Sequence, residues 1–210
     1  MILENKTAHM PNLEYDMRIT RDVKGDDLTA MMRLRRESYY PDPRDARYAK
    51  GGIHNLRDET WIEESHAKDA SSHFVLVTDA EGILVAYSRF SFVEPNCPNY
   101  DQRLLSLMPE KKAARVVWLQ VIIVGKQFRG KATVVNGRCG RIADLVFDER
   151  LRFAREQGCV AAFCDVATLP VRNEVSINFI TRHGMKEIGK GEDIVREGMP
   201  VAFTRFAALI

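Results

Sequence analysis

The chain carries two patterns of apolar residues, one with the period of a strand and one with the period of a helix. Residues 15–20 predict a short strand. Residues 26–40 predict a helix whose apolar stripe is formed by Leu28, Met31, Met32 and Leu34. Residues 72–93 contain two apolar runs joined by the turn sequence DAEG, which predicts an antiparallel hairpin. The first part of the chain is therefore expected to build antiparallel sheet.

The second part of the chain predicts buried strands that alternate with helices. Residues 116–124, VVWLQVIIV, are almost wholly apolar, as in a central strand covered on both faces. A helix is predicted over residues 141–158, where Gly158 ends it. The remaining predicted elements are a buried strand over 159–167, a helix over 173–183 that stops at Gly184, and a last strand over 198–209.

No repeat or linker divides the chain, and residues 94–115 form an insertion-like loop with one predicted helical turn. We predict one α/β (α+β) domain over residues 14–210, with a mixed sheet flanked by helices, and a flexible tail over residues 1–13. A chain of 210 residues with 45% hydrophobic residues is long enough to bury the core of such a domain.

Composition and charge exclude several classes of protein. The net charge is +2, from 31 basic and 29 acidic residues, so nothing indicates a partner that is nucleic acid or a membrane surface. The four cysteines form no CxxC pair and the five histidines have no metal-ligand spacing, so we expect no metal and a reduced, cytoplasmic setting. No apolar run approaches the roughly 18 residues of a membrane span.

Positive charge is concentrated in one segment. Residues 111–143 contain eight basic residues and no acidic ones. Within it, Gln127-Phe128-Arg129-Gly130-Lys131-Ala132 follows the apolar strand, where a helix is expected to begin. Unpaired backbone N–H groups at the start of a helix favour an anion, so the segment predicts a phosphate-type site. A solvated basic face is the alternative.

The same segment is one residue away from a nucleotide-binding loop of the form GxxxxGK[ST]. Residues 125–133 place Ala132 where that loop has the hydroxyl that holds Mg²⁺, and Thr133 is displaced by one position. Fewer than 90 residues follow Gly125, which is short for the sheet of such a fold.

Two motifs together resemble the GNAT superfamily of N-acetyltransferases. Residues 127–132 are similar to its strand-to-helix motif Q/R-x-x-G-x-G/A, which holds the pyrophosphate of acetyl-CoA. Asn173-Glu174-Val175-Ser176, Phe179 and His183-Gly184-Met185 are similar to its N-x-x-A/S-x-x-F-x-x-x-x-G-F helix. The resemblance implies a mixed, mainly antiparallel sheet with two parallel central strands splayed around the CoA site.

The resemblance also implies which residues would bind acetyl-CoA or another acyl-CoA. Backbone groups of Ile122 and Val124 would contact the pantetheine arm. The pyrophosphate would lie on Gln127, Phe128, Arg129, Gly130, Lys131 and Ala132. Asn173, Ser176 and Phe179 would line the cofactor wall, and Asn173 also suits a plain helix N-cap.

A second segment could hold the pyrophosphate instead. Residues 138–143, including Arg138 and Gly140, also resemble the loop and lie at a better distance from the end of the helix. Asn136-Gly137 is a turn signal between the two candidates. The first candidate is favoured by its register with the strand, and the insertion would then be a lid or a longer surface turn.

The catalytic groups are less clearly indicated. The family's frequent tyrosine acid falls on Ile180, and the frequent glutamate base falls near Gln120, which cannot take a proton but could hold a water. Glu94, Asp165 and His183 are the other candidates for moving a proton near the expected cleft. An amine that arrives unprotonated would need mainly to be positioned.

We therefore expect an acyltransferase that moves an acetyl or other acyl group from acyl-CoA directly to a primary amine of a small molecule or peptide. The acceptor should be contacted by residues 39–58 and 95–115. A non-catalytic acyl-CoA sensor or assembly protein of the same fold is the alternative, and the absent tyrosine and glutamate favour it. Acyl chain length, a carrier protein as donor and a homodimer, which is common in the family, are left open.

Overall fold

The protein is described from a computed structural model that covers residues 14–39, 44–47, 71–98, 100–108, 110, 112–196 and 199–210. The predicted tail over residues 1–13 and most of the segment 39–58 lie outside the described residues. The absence of a contact, a partner or a metal site is established for these residues only.

The predicted helices and strands occur in the predicted order, and the described residues form four further strands. The bounds of all these elements are β1 Glu14–Thr20, α1 Gly25–Ser38, β2 Ser72–Thr78, β3 Leu84–Val93, a 3₁₀ turn at Gln102–Ser106, β4 Val116–Val124, a 3₁₀ turn at Lys126–Phe128, β5 Ala132–Val135, β6 Arg138–Arg141, α2 Ile142–Glu156, β7 Ala161–Leu169, α3 Glu174–Arg182, β8 Lys186–Lys190, β9 Ile194–Arg196 and β10 Met199–Leu209. The four further strands are β5, β6, β8 and β9.

The strands form one mixed sheet of ten, in the order β6-β5-β1-β2-β3-β4-β7-β10-β8, with β9 paired to β10. The pairs β1–β5 and β4–β7 are parallel, and the other pairs are antiparallel. The predicted fold class is confirmed, with two parallel strands in the centre of a mainly antiparallel sheet.

The central strands are buried because helices cover both faces of the sheet. α2 and α3 pack on one face around Val117, Leu119 and Phe147. On the other face, Met31 and Leu34 of α1 pack against the sheet. The 3₁₀ turn at Gln102–Ser106 adds Leu104 to a smaller cluster on the sheet. Removing this apolar surface from water is what drives the layers together.

The segment between β4 and α2 differs from the expectation that the strand passes directly into the helix. Residues 132–141 form a hairpin that adds two strands to the edge of the sheet beside β1. Its turn has Asn136 and Gly137 at φ +47° and +72°, the left-handed conformation that two-residue hairpin turns need. The Asn136 side chain then accepts from the Met17 N–H and donates to the Met17 carbonyl, both at 2.8 Å.

Candidate functional site

The two parallel central strands pair over a short stretch and then separate. β4 and β7 are paired at Val116–Trp118 and Ala161–Phe163, and no pairing follows although both strands continue. The outer sides of the two strands remain paired, β4 to β3 and β7 to β10. Their inner edges therefore leave a wedge in the middle of the sheet, with unpaired backbone groups along it.

A β-bulge lies just beyond the apex of this wedge. Arg89 pairs with Val121 and Phe90 with Leu119, so Gln120 has no partner residue on β3. The Gln120 side chain donates from Nε2 to Ser91 Oγ at 2.9 Å. Bulges can re-aim side chains beside functional sites, and Gln120 is among the residues that line the wedge.

A cavity of about 560 Å³ fills the wedge. It is large enough for an extended ligand of small-molecule size. Ten of the predicted site residues line it: Gln120, Ile122, Val124, Phe128, Arg129, Gly130, Asp165, Asn173, Ser176 and Phe179.

The outer end of the cavity is a helix N-terminus. α2 begins at Ile142, and its N-cap residue Arg141 makes no side-chain capping hydrogen bond. Arg141, Ile142 and Ala143 all line the cavity. The first N–H groups of α2 therefore face the cavity without a protein side chain to satisfy them, which is a favourable place for an anion.

Only part of the predicted first loop reaches this place. Arg129 and Gly130 line the cavity, whereas Gln127, Lys131 and Ala132 do not. The expectation that this loop opens a helix is wrong, because β5 follows it and the helix starts ten residues later, after Arg141. A nucleotide-binding loop of the GxxxxGK[ST] type would need a helix at the same point.

Arg129 is held in place by the end of β4 and the end of α1. Its Nε donates to the Val124 carbonyl at 2.8 Å, and its Nη2 donates to Ser38 Oγ at 2.6 Å. Arg129 thus brings a fixed positive charge to the cavity from the side of β4, and Arg141 brings a second from the side of α2.

The side of the cavity across from β4 is formed by β7 and α3. Asn173 is the N-cap of α3, and its Oδ1 accepts from the Ser176 N–H at 3.1 Å. The predicted capping role is therefore present. Phe179 packs edge-on against Phe147 of α2, with ring centroids 5.4 Å apart. Ile180, at the position of the family's tyrosine, is a buried apolar residue of the cavity wall.

Asp165 lines the cavity but is engaged by an ion pair. Its two carboxylate oxygens accept from Nε and Nη2 of Arg205, each at 2.7 Å. The Nη1 of Arg205 donates to Asp101 at 2.8 Å, so one guanidinium joins two carboxylates. These bonds raise the pKa of Arg205 above its ordinary value, with the Asp165 bond as the main cause.

The remaining predicted residues lie away from the cavity. Glu94 pairs with Arg115 at 2.5 Å, before the start of β4. His183 ends α3 and lies 2.9 Å from Asp144 of α2, so it joins two helices. Arg138 pairs with Glu149 at 3.4 Å, and the Gly140 backbone packs on Leu145, where an added Cβ would lie 3.1 Å away.

The hydroxyls of two buried tyrosines, Tyr87 and Tyr100, also have hydrogen-bond partners within the protein. The Tyr87 hydroxyl accepts from Arg35 Nη1 at 2.9 Å, and burial raises the pKa of Tyr87 against the opposing effect of Arg35. The Tyr100 hydroxyl donates to the Ala114 carbonyl at 3.1 Å.

Several cavity residues were not predicted from the sequence. They are Arg35 and Ser38 of α1, Arg150 within α2, and Cys164 on β7. Burial raises the pKa of Cys164 to about 12, so this thiol is neutral. Arg150 had a signal in the sequence, because it falls four residues after Val146 and four before Ala154 within an apolar stripe.

No family model and no curated protein sequence matches this chain. Solved structures do match it. NAA60 of Arabidopsis thaliana in complex with acetyl-CoA is similar with a TM-score of 0.65 and 13% identity, over 93% of this chain and 98% of that chain. An acetyltransferase of the GNAT family from Streptococcus pneumoniae is similar with a TM-score of 0.55 and 14% identity, over 92% of this chain and 99% of that chain.

The protein has the GNAT fold. An N-acetyltransferase from Staphylococcus aureus Mu50 supports this, with a TM-score of 0.58 and 15% identity over 92% of this chain and 98% of that chain. At such identities the likeness establishes the fold, and the chemistry must be argued from the site. In this GNAT fold the wedge, the bulge and the uncapped end of α2 converge on one cavity.

Two further observations concern the described residues. None of their helices is both long enough and apolar enough to cross a bilayer. They contain no group of three or more His, Cys, Asp and Glu side chains arranged to hold a metal ion.

Proposed function

We propose that the protein is an acyltransferase that moves an acyl group from acyl-CoA directly to a primary amine of a small molecule or peptide. The observation that carries the proposal is the wedge between β4 and β7, which leads to the uncapped N-terminus of α2. The wedge offers unpaired backbone groups to an extended amide chain, and the helix N-terminus offers unpaired N–H groups to an anion. Both lie on one continuous cavity.

The inner edge of β4 suits the pantetheine arm of CoA. Residues 119–124 have no strand partner on this side, so their backbone groups can pair with the two amides of the arm as with an added strand. Ile122 and Val124 lie in this stretch, and Ser176 and Phe179 face them across the cavity. The apolar walls would exclude water from the arm.

The outer end of the cavity suits the pyrophosphate. The N–H groups of Ile142 and Ala143 and the charges of Arg129 and Arg141 surround it. Gly130 contributes a turn at φ +72°, and no atom lies within 4 Å of the place where a Cβ would stand, so a phosphate could approach the backbone there. In this proposal both predicted loops contribute to the pyrophosphate site. The first contributes Arg129 and Gly130, and the second contributes residues 141–143.

The bound thioester would supply an activated acyl carbon. In the transfer the amine nitrogen forms a bond to that carbon, the C–S bond breaks, and a proton passes from the amine to the thiolate. Gln120, held by Ser91, lies at the bulge where it can orient a water or the amine. Both carboxylate oxygens of Asp165 accept hydrogen bonds from Arg205, so neither is free to face the amine. We propose that the chain acts mainly by holding the reactants in place.

The acceptor would approach from the end of α1. Arg35 and Ser38 line the cavity there, on the face of the sheet opposite α2 and α3. The segment that follows α1 begins at this end of the cavity. We therefore propose that it contacts the acceptor and helps to select the amine.

Calorimetric titration with acetyl-CoA, repeated with ATP and Mg²⁺, tests the donor. We expect micromolar binding of acetyl-CoA and none of ATP. Incubation with acetyl-CoA and a panel of amines, followed by a colour reagent for free thiol, then tests the transfer. Binding of ATP alone, or of neither, would overturn the proposal.

The second candidate is a non-catalytic acyl-CoA sensor. The apolar Ile180 and the paired Asp165 favour it, since the described cavity then offers no free carboxylate or tyrosine. A sensor would bind acetyl-CoA in the first experiment and release no thiol with any amine in the second.

A further inference from the structure

A buried arginine lines the cavity and has no hydrogen-bond or ion-pair partner among the described residues. The Arg150 residue is 2% exposed, and its Nε has no hydrogen-bond partner. Within the described residues, its guanidinium forms no hydrogen bond or ion pair. The Phe147 ring face lies 5.2 Å from its Cζ, and the Cys164 thiol is near enough to interact with its charge.

Such an arrangement is costly for the free protein. Arginine is almost never fully buried unless it is paired, because its charge loses the hydration that water provides. Burial lowers the pKa of Arg150 to about 9, so the side chain is still charged at neutral pH. An anion in the cavity would remove this cost, since carboxylates bind guanidinium groups through two parallel hydrogen bonds.

The acidic residues near Arg150 already form ion pairs with other arginines. Glu149, the neighbour of Arg150 in α2, pairs with Arg152 and Arg138. Asp165, the neighbour of Cys164, pairs with Arg205 on the opposite face of β7. Among the described residues neither of these carboxylates is available to Arg150, and a ligand of the cavity can supply its partner.

The position of Arg150 indicates which part of a ligand it meets. At 1.5 Å per residue, Arg150 lies about 12 Å along α2 from the end at Ile142. Its neighbour Cys164 directly follows Phe163, the last residue of β7 that pairs with β4. Arg150 is thus at the inner end of the wedge, away from the anion site at the helix N-terminus.

We propose that Arg150 binds a carboxylate at the far end of the acyl group, so that the preferred donor is the CoA thioester of a dicarboxylic acid. This inference rests on the proposed function, in which the pyrophosphate occupies the outer end and the thioester reaches the inner end. Arg150 lies on the α2 face, whereas the amine would enter from the α1 face. The carboxylate therefore belongs to the donor.

Calorimetric titration with succinyl-CoA and butyryl-CoA tests the inference, because these donors have acyl chains of the same length and differ in the terminal carboxylate. Acetyl-CoA is titrated as the reference. We expect the wild-type protein to bind succinyl-CoA at least about tenfold more tightly than butyryl-CoA. Arg150→Met should bring the two affinities to within about twofold, chiefly by weakening the binding of succinyl-CoA.

Arg155→Met is the matched control, since Arg155 is an exposed arginine of the same helix. It should keep the wild-type preference. Arg150→Lys, which retains the charge, should keep part of the preference and serves as the second variant. The comparison of donors on the wild-type protein needs no variant at all.

The outcomes separate the two proposals. Equal binding of all three thioesters by the wild-type protein would overturn the carboxylate site and leave the proposed function standing. A preference for succinyl-CoA that survives in Arg150→Met would overturn the role of Arg150. Binding of none of the three would overturn the proposed function and this inference with it.

Stability without ligand is an independent readout. Replacing a buried unpaired charge by an apolar side chain of similar length relieves the free protein of its desolvation cost. Arg150→Met should therefore raise the urea midpoint, whereas Arg155→Met should not. A lower midpoint for Arg150→Met would mean that the guanidinium is already satisfied, and would count against the site.

Discussion

Asp165 and Arg205 are joined by two hydrogen bonds of 2.7 Å across neighbouring strands, at positions that are directly opposite in the register of β7 and β10. Both side chains are largely buried, with 14% of each exposed. The pair borders the proposed active cavity, so its role is either to support the sheet or to move a proton.

Asp165→Asn distinguishes these roles. We expect the free energy of unfolding in urea to fall by about 2–3 kcal/mol, because the variant leaves the Arg205 charge with one carboxylate. The pH profile of acyl transfer should keep its shape. Asp193→Asn, which breaks an exposed pair with Lys190, is the control and should cost at most about 1 kcal/mol. A lost acidic limb of the profile in Asp165→Asn would instead identify Asp165 as the base.

Arg141 and Arg138 provide a matched test of the anion site. Arg141→Gln should weaken acetyl-CoA binding roughly tenfold, because this side chain lines the cavity at the start of α2. Arg138→Gln should have little effect, since Arg138 pairs with Asp148 and Glu149 outside the cavity. Calorimetry at one fixed salt concentration gives both values. Equal losses of affinity in the two variants would mean that acetyl-CoA binding depends only on the overall positive charge of this region.

Asn173 has a structural role that can be separated from a binding role. Asn173→Ala should lower the free energy of unfolding by about 1 kcal/mol, because α3 loses its cap. Asn173→Asp restores a capping oxygen and should recover the stability. If Asn173 also contacts the pantetheine arm through its NH₂ group, the affinity for acetyl-CoA stays low in Asn173→Asp. If Asn173→Asp recovers both the stability and the affinity for acetyl-CoA, then Asn173 acts only as the cap of α3.

Acid should destabilise the protein partly through Asp101. Burial by itself would raise the pKa of Asp101, but hydrogen bonds from Arg103 and Arg205 outweigh it and lower the pKa to about 2. Because the folded value lies below the ordinary value of 3.8, Asp101 contributes stability above about pH 4 and loses it as the pH falls toward 2. Urea midpoints measured across this range should fall less steeply in Asp101→Asn. An unchanged slope would contradict the assignment.

The sequence predicted the fold well where the periodicity of apolar residues is strong. The hairpin of β2 and β3, the central strand β4 and the helices α2 and α3 follow directly from it. β8 was not predicted, because Ile188 is the only large apolar residue among its five. The turn at Asn136-Gly137 was predicted, but its pairing with Met17 joins residues 119 positions apart, which local patterns do not reveal.

The site was predictable where one motif carries adjacent residues. The predicted residues of β4 and of the start of α3 line one cavity, and their contact with acyl-CoA stays a prediction. Glu94 and His183 do not line the cavity. They pair with Arg115 and Asp144, which are distant in the sequence, so local patterns did not reveal these contacts. Arg150 has a sequence signal, its place in the apolar stripe of α2, but its lack of a partner among the described residues is visible only after folding.

The hairpin of β5 and β6 has a consequence for assembly. β6, the outermost strand on one side of the described sheet, is four residues long and has Arg138 and Arg141 at its ends. β8, on the other side, has Lys186 and Lys190 at its ends and an irregular pairing with β10. Short edge strands with basic side chains discourage the addition of a strand from another molecule. A homodimer of this protein would therefore be held together by helices and loops. The edge strands of its two copies would not pair with each other.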